Sequence, residues 1–233
     1  MLSVFLPIGW PDAARFLRLA RIAIAEGAGA LELGIPYSDP VADGPVLQEA
    51  NREALALGLT VSQAIDLLAE VRAATTLALN LLVYGNLVHA RSTFCADVAA
   101  AGASSLLVPD VPVGEASELR QMCRSAGIDH VNLVGPNTSA TRLKTIARVT
   151  DGYLYLAGVQ GVTGASIDPA VAVISRTVSV GRPVYVGFGI RTRAHVVTAL
   201  QAGAASAIVG SALVEIGKDE LVFSARVREL SGR

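Results

Sequence analysis

The chain has 233 residues, with 19 Lys and Arg against 20 Asp and Glu for a formal net charge of −1; 52% of its residues are hydrophobic and 17% charged. That mixture excludes an intrinsically disordered chain, which needs low hydrophobicity and high net charge, and no Lys/Arg cluster is present to neutralise a nucleic-acid backbone. No run reaches the roughly 20 uninterrupted apolar residues that span a bilayer, and the opening Met1-Leu2-Ser3-Val4-Phe5-Leu6-Pro7 lacks the basic start of a signal peptide.

Short apolar runs recur along the chain, at Ser3–Ile8, Ala30–Leu33, Leu77–Val83, Ser104–Val108, Asp129–Val134, Gly152–Ala157, Pro183–Val186 and Ala205–Val209. Each is short for a helix, and most are rich in Val, Leu and Ile, as strands buried on both faces are. Between them the apolar residues fall at helical spacing, as in Ala13–Glu26, Val61–Ala73 and Glu115–Ala126, and Ala212–Leu230 reads as one closing helix. Eight strand–helix units of about 29 residues match a closed (β/α)₈ barrel better than an open sheet. The triplets Ala28-Gly29-Ala30, Ala101-Gly102-Ala103, Ala126-Gly127-Ile128 and Ala202-Gly203-Ala204 each precede a strand, where a left-handed glycine ends the preceding helix. No linker or charge block interrupts the pattern, so residues 1–233 are expected to form a single α/β TIM-barrel domain.

Two cysteines, Cys95 and Cys123, and three histidines, His89, His130 and His195, are scattered without ligand spacing. Neither a metal site nor a disulfide framework is expected, and a reducing cytoplasm is the expected compartment. Gly27-x-Gly29 precedes its strand rather than following it, which excludes a dinucleotide fingerprint.

Barrel chemistry is carried by the loops after the strands. The second of these reads Leu31-Glu32-Leu33-Gly34-Ile35-Pro36-Tyr37-Ser38-Asp39-Pro40-Val41-Ala42-Asp43-Gly44-Pro45. Glu32 stands inside an apolar strand, where a carboxylate is costly unless it is paired or faces a polar cavity. Desolvation raises its pKa and suits it to proton transfer. No Lys or Arg lies within the other predicted strands, but a structural ion pair remains the competing reading. Asp43 and Asp39 are candidates of the same kind, with turn capping as the alternative. Late in the chain, Gly161-Val162-Thr163-Gly164, Gly187-Phe188-Gly189-Ile190 and Val209-Gly210-Ser211-Ala212 follow strands six, seven and eight. Glycine loops there let backbone N–H groups approach a phosphate, and Ser211 is placed to cap the next helix or donate its hydroxyl.

The loop from Leu31 to Pro45 resembles the motif of the tryptophan synthase alpha chain family. Tyr84-Gly85-Asn86-Leu87-Val88, Val108-Pro109-Asp110-Val111-Pro112, Pro136-Asn137, Tyr153-Leu154-Tyr155 and the three glycine loops follow in the family's order, so the likeness covers nearly the whole chain. The resemblance implies a (β/α)₈ barrel that needs no cofactor. It further implies cleavage of indole-3-glycerol phosphate by a retro-aldol reaction into indole and glyceraldehyde 3-phosphate. It implies that Glu32 moves protons between the glycerol hydroxyl and indole C3, and that Asp43 accepts a hydrogen bond from the indole N–H. Phe5, Leu82 and Leu107 would form the indole pocket beside Tyr155. Gly164, Gly189, Gly210 and Ser211 would cradle the phosphate, with Thr163 on the closing loop. A beta chain that uses pyridoxal phosphate would dock through Pro36, Asp39, Asn86, Asp110 and Pro112.

The sequence also departs from the family pattern. Strand one begins at Ser3, so the usual N-terminal helix is expected to be absent or shortened. Trp10 stands where an Asp is common, Gly158 and Val159 replace polar residues, and His89 and Ala90 replace an aromatic and an amide. Two alternatives follow from these changes: a stand-alone lyase that releases free indole, and a catalytically weak barrel that activates a partner. A Schiff-base aldolase is disfavoured because Lys144 and Lys218 fall in helical stretches.

Overall fold

The computed structural model describes residues 1–158, 167–187 and 189–233. Eight parallel strands close into a barrel in the order β1-β2-β3-β4-β5-β6-β7-β8. They are β1 (Leu2–Pro7), β2 (Ala30–Gly34), β3 (Ala78–Leu82), β4 (Ser105–Leu107), β5 (Asp129–Val134), β6 (Leu154–Leu156), β7 (Val184–Val186) and β8 (Ser206–Val209). Each falls within or overlaps a predicted run. The helices that concern the site are α1 (Ala13–Ala25), α2 (Pro45–Ala56), α3 (Val61–Ala74), α4 (Gly85–His89), α5 (Phe94–Ala100), α6 (Ser117–Ala126), α7 (Ala140–Val149), α8 (Ile167–Val178), α9 (Arg193–Gln201), α10 (Ser211–Val214) and α11 (Glu220–Ser231). Among the described residues no single helix is long and apolar enough to cross a membrane.

The helix ends are specified locally. Asp12 caps α1 by accepting from the Arg15 N–H, and Thr60 with Gln63 forms a reciprocal capping box on α3. Where a helix turns back into the sheet, Gly102, Gly127 and Gly203 adopt positive φ, as expected; before β2 it is Gly27 (φ +99°), not Gly29, that does so. Gly29 instead makes room for Met1, whose Cβ lies 2.8 Å from the position a Gly29 Cβ would take.

The chain's last segment differs from the single closing helix expected. A short α10 is followed by α11, and Asp219 starts the second by accepting from the Leu221 and Val222 N–H groups. Gly217 between them lies against the Trp10 ring, 2.8 Å from where a Cβ would stand. Trp10 is buried and donates its Nε1–H to Glu53 at 2.8 Å. Cys95 of α5 and Cys123 of α6, far apart in sequence, meet as buried free thiols with sulfurs 3.9 Å apart.

Strand register fixes which side chains face the barrel interior. Phe5 pairs with Glu32, Glu32 with Asn80, and Leu82 with Leu107. Tyr155 pairs with Leu133 on one side and Tyr185 on the other. Side chains alternate along a strand, so Asn80 faces inward with Leu82, Ser105 with Leu107, and Tyr153 with Tyr155.

Candidate active site

A cavity opens at the C-terminal ends of the strands and is lined by Phe5, Asp43, Leu47, Leu82, Tyr155, Gly189, Ile190, Arg191, Ile208, Gly210 and Ser211. Seven residues singled out in the sequence therefore share one cavity: Phe5, Asp43, Leu82, Tyr155, Gly189, Gly210 and Ser211. Leu107 is buried one register step from Leu82, and Glu32 lies level with Phe5, 1% exposed. Thr163 and Gly164 lie outside the described residues.

Glu32 decides what the cavity can do. Both of its carboxyl oxygens are buried without a hydrogen-bond partner. The ion pair that competed with catalysis in the sequence is absent, since none of the described salt bridges involves Glu32. Desolvation first, and then the negative charge of Asp43, push its pKa up to about 8. Such a group is a protonated acid at neutral pH and is poised to give up its proton to a substrate atom.

Asp43 is placed differently. Its backbone N–H bonds to the Pro40 carbonyl at 2.9 Å, and its own carbonyl accepts from the Gln48 side chain, so the loop is tied to α2. Asn51 of α2 donates Nδ2–H to Asp43 Oδ2 at 3.0 Å. Burial raises the Asp43 pKa to about 6, with the Asn51 bond acting in the opposite direction. At pH 7 the site thus holds one protonated carboxyl and one carboxylate.

Three glycines make room for the rings. A Cβ on Gly34 would stand 2.9 Å from Phe5 Cζ, one on Gly210 3.3 Å from Phe5 Cδ1, and one on Gly187 only 2.1 Å from the Tyr155 hydroxyl. Burial, followed by the Glu32 charge, holds the Tyr155 phenol well above its ordinary pKa, so it stays a neutral hydroxyl. Two residues after Gly187, Gly189 has φ +86°. Gly210 precedes α10 as its cap without a side-chain bond. Ser211 is therefore not the helix cap considered in the sequence; it lines the cavity instead.

A family model described as tryptophan synthase alpha chain matches residues 1–228. The chain belongs to the tryptophan synthase alpha chain family. Among the family's curated members, the tryptophan synthase alpha chain of Corynebacterium aurimucosum is 40% identical over 220 residues, 91% of this chain and 80% of that protein. That of Methanothermobacter thermautotrophicus is 38% identical over 239 residues, 98% of this chain and 88% of its own length. A solved structure of the tryptophan synthase α2β2 complex of Pyrococcus furiosus contains a chain that superposes with a TM-score of 0.93 at 38% identity, covering 100% of this chain and 98% of that one.

The contact positions that the tryptophan synthase alpha chain resemblance implied lie on the segments that follow β2, β3 and β4, with Asn86 inside α4. Asp39, Asn86, Asp110 and Pro112 are exposed there, whereas Pro36 is buried. Two of the exposed residues also hold the loops in place. Asp110 accepts from the Gly85 N–H at 2.9 and 3.2 Å, and Asn86 donates to the Tyr37 hydroxyl at 2.8 Å. Tyr37 in turn stacks on Tyr84, whose hydroxyl accepts from the Ala42 N–H one residue before Asp43.

Sequence reasoning missed Arg191, Ile190, Ile208, Leu47 and Asn51. Arg191 lines the cavity and pairs with Glu215 at 2.5 Å. Its signal was available, since it is a cation two residues after a predicted phosphate-loop glycine. Asn51 carried none, because it reaches Asp43 only once α2 has folded back over the loop.

Proposed function

We propose that the chain cleaves indole-3-glycerol phosphate to indole and glyceraldehyde 3-phosphate, with Glu32 as the proton carrier. The observation that carries this reading is the Glu32 carboxyl itself: buried, without a hydrogen-bond partner, and within reach of the negative charge of Asp43, which lines the cavity.

The chemistry follows from the two protonation states. Neutral indole carbon is a poor leaving group, so the bond between indole C3 and the glycerol chain breaks only after C3 is protonated. Protonated Glu32 gives its proton to C3, and the positive charge that spreads to the ring nitrogen is held by the Asp43 carboxylate through the N–H. Glu32, now anionic, takes the proton of the adjacent glycerol hydroxyl. The C–C bond breaks, its electron pair restores the indole ring, and the oxygen becomes the aldehyde. Glu32 ends protonated, as it began. Phe5, Leu82 and Leu107 pack the indole. Gly189, Gly210 and Ser211 offer backbone N–H groups and a hydroxyl to the phosphate, beside Arg191.

The likeness to a chain of an α2β2 complex supports a further step, in which indole passes to a tryptophan synthase beta chain seated over the segments that expose Asp39, Asn86, Asp110 and Pro112. Pro36 is buried and is left out of that exposed surface. This reading places the chain in the cytoplasm, a compartment compatible with its two buried thiols.

Indole release from indole-3-glycerol phosphate by the purified chain, with and without a cognate beta chain, tests both parts. Turnover stimulated by the beta chain is expected. No indole under either condition would overturn the lyase assignment, and equal turnover alone and together would overturn the partnership.

A further inference from the structure

The inner wall of the barrel carries further buried polar groups that the proposed mechanism leaves unused, among them Asn80 Nδ2, Ser3 Oγ and the Tyr153 hydroxyl, and Asn80 is the one set beside Glu32 in register. Asn80 is the register partner of Glu32 on the next strand, and it faces inward two residues before Leu82. Adjacent strands run about 4.8 Å apart, so the two side chains project side by side into the same space. Asn80 is 4% exposed, and its Oδ1 accepts from the Ser105 hydroxyl at 2.8 Å. That bond fixes the amide and leaves Nδ2 with no partner, just as both oxygens of Glu32 have none. A buried donor and a buried acceptor left open on adjacent register positions are expensive unless they serve one another at some stage.

We propose that Asn80 is a positioning residue for Glu32: its Nδ2–H receives the Glu32 carboxylate when that group has handed its proton to the substrate. The inference rests on the lyase reading for the identity of the reaction, though not for the pairing itself. The donor serves only the ionised state. A protonated carboxyl has little need of it, whereas an anion at Glu32 has no cation acting on it, only the negative charge of Asp43. Asp43 from the loop after β2, Tyr153 and Tyr155 from β6, and Tyr185 from β7 are the titratable groups that face Glu32, and none of them carries positive charge. On the β1 side the neighbours are Phe5 and Ser3, and neither titrates. Asn80 is thus the amide donor set beside the point where negative charge develops. Ser105 acts through it by orienting the amide.

The test is a carbon-13 NMR titration of the Glu32 carboxyl in wild type, Asn80→Leu and Asn80→Ala, with Glu32→Gln used to assign the resonance. The pH dependence of kcat and KM for indole release is measured alongside it. Loss of one hydrogen bond to a carboxylate should move the Glu32 midpoint up by about one unit in both variants. It should also lower kcat about tenfold and leave KM within about twofold. The leucine variant keeps the cavity filled and the alanine variant empties it, so an effect common to both is not a packing effect. A Glu32 midpoint within about 0.3 unit of wild type in the variants that fold would overturn the proposal. Should wild type release no indole, the lyase reading fails while the NMR midpoint still decides the pairing.

Discussion

At the scale of single residues, the proposed lyase chemistry needs two carboxyl groups held on opposite sides of neutrality. Asp43 titrates near 6 and must be ionised, while Glu32 titrates near 8 and must be protonated. Indole release should therefore follow a bell-shaped pH profile with limbs near these values. The acid limb reflects protonation of Asp43 and the alkaline limb loss of the Glu32 proton. Asn51→Leu removes the bond that holds the Asp43 carboxylate, so the acid limb should shift upward by about half a unit to one unit while the alkaline limb stays in place. A pH–rate series on the two proteins checks this; an unmoved acid limb would contradict the role given to Asn51. Glu32 was legible in the sequence because an acid in an apolar run is anomalous by itself. Asn80 sits in a run of the same kind, but an amide carries no charge and so gives a weaker signal.

At the scale of elements, the barrel rim is shaped by positions where no side chain fits. The end of β7 shows this most sharply, since a Cβ on Gly187 would lie 2.1 Å from the Tyr155 hydroxyl. Gly187→Ala should displace the Tyr155 ring. An overpacked core position of this kind costs about 1–3 kcal/mol, and indole release should fall more than that destabilisation explains. Thermal unfolding and kcat/KM measured on one preparation separate the two effects; wild-type values for both would show that Tyr155 does not need this clearance. Individual strands could be read from short apolar runs, and three of the four expected helix-ending glycines, Gly102, Gly127 and Gly203, from the triplets before strands. The break between α10 and α11 could not, because it depends on Gly217 meeting the Trp10 ring, more than 200 residues away in sequence. The Cys95–Cys123 contact was hidden for the same reason: spacing along the chain says nothing about which outer helices become neighbours.

At the scale of the whole molecule, eight repeated strand–helix units were sufficient to indicate a closed barrel, and the register of that barrel gathers Phe5, Leu82, Tyr155, Gly189 and Gly210 around one mouth. The site also weakens the fold. Glu32 has a folded-state pKa near 8, above its ordinary value of 4.5, so the native chain binds more protons than the unfolded one between those values. Stability contributed by this group is lost as pH rises through that window, by roughly 3–5 kcal/mol in total. Glu32→Gln removes the titration. The variant should melt higher than wild type at pH 8, and that difference should shrink toward pH 5. Parallel melting curves across this range would mean that Glu32 is not desolvated in solution.

Glu32→Gln also supplies the most direct measurement. Gln preserves the shape of the side chain but has no proton to give to indole C3. At pH 7, with saturating indole-3-glycerol phosphate, the account predicts that the folded variant releases indole at least about a thousandfold more slowly than wild type. A variant that folds, binds the substrate and turns it over at a rate close to wild type would show that some other group carries the proton.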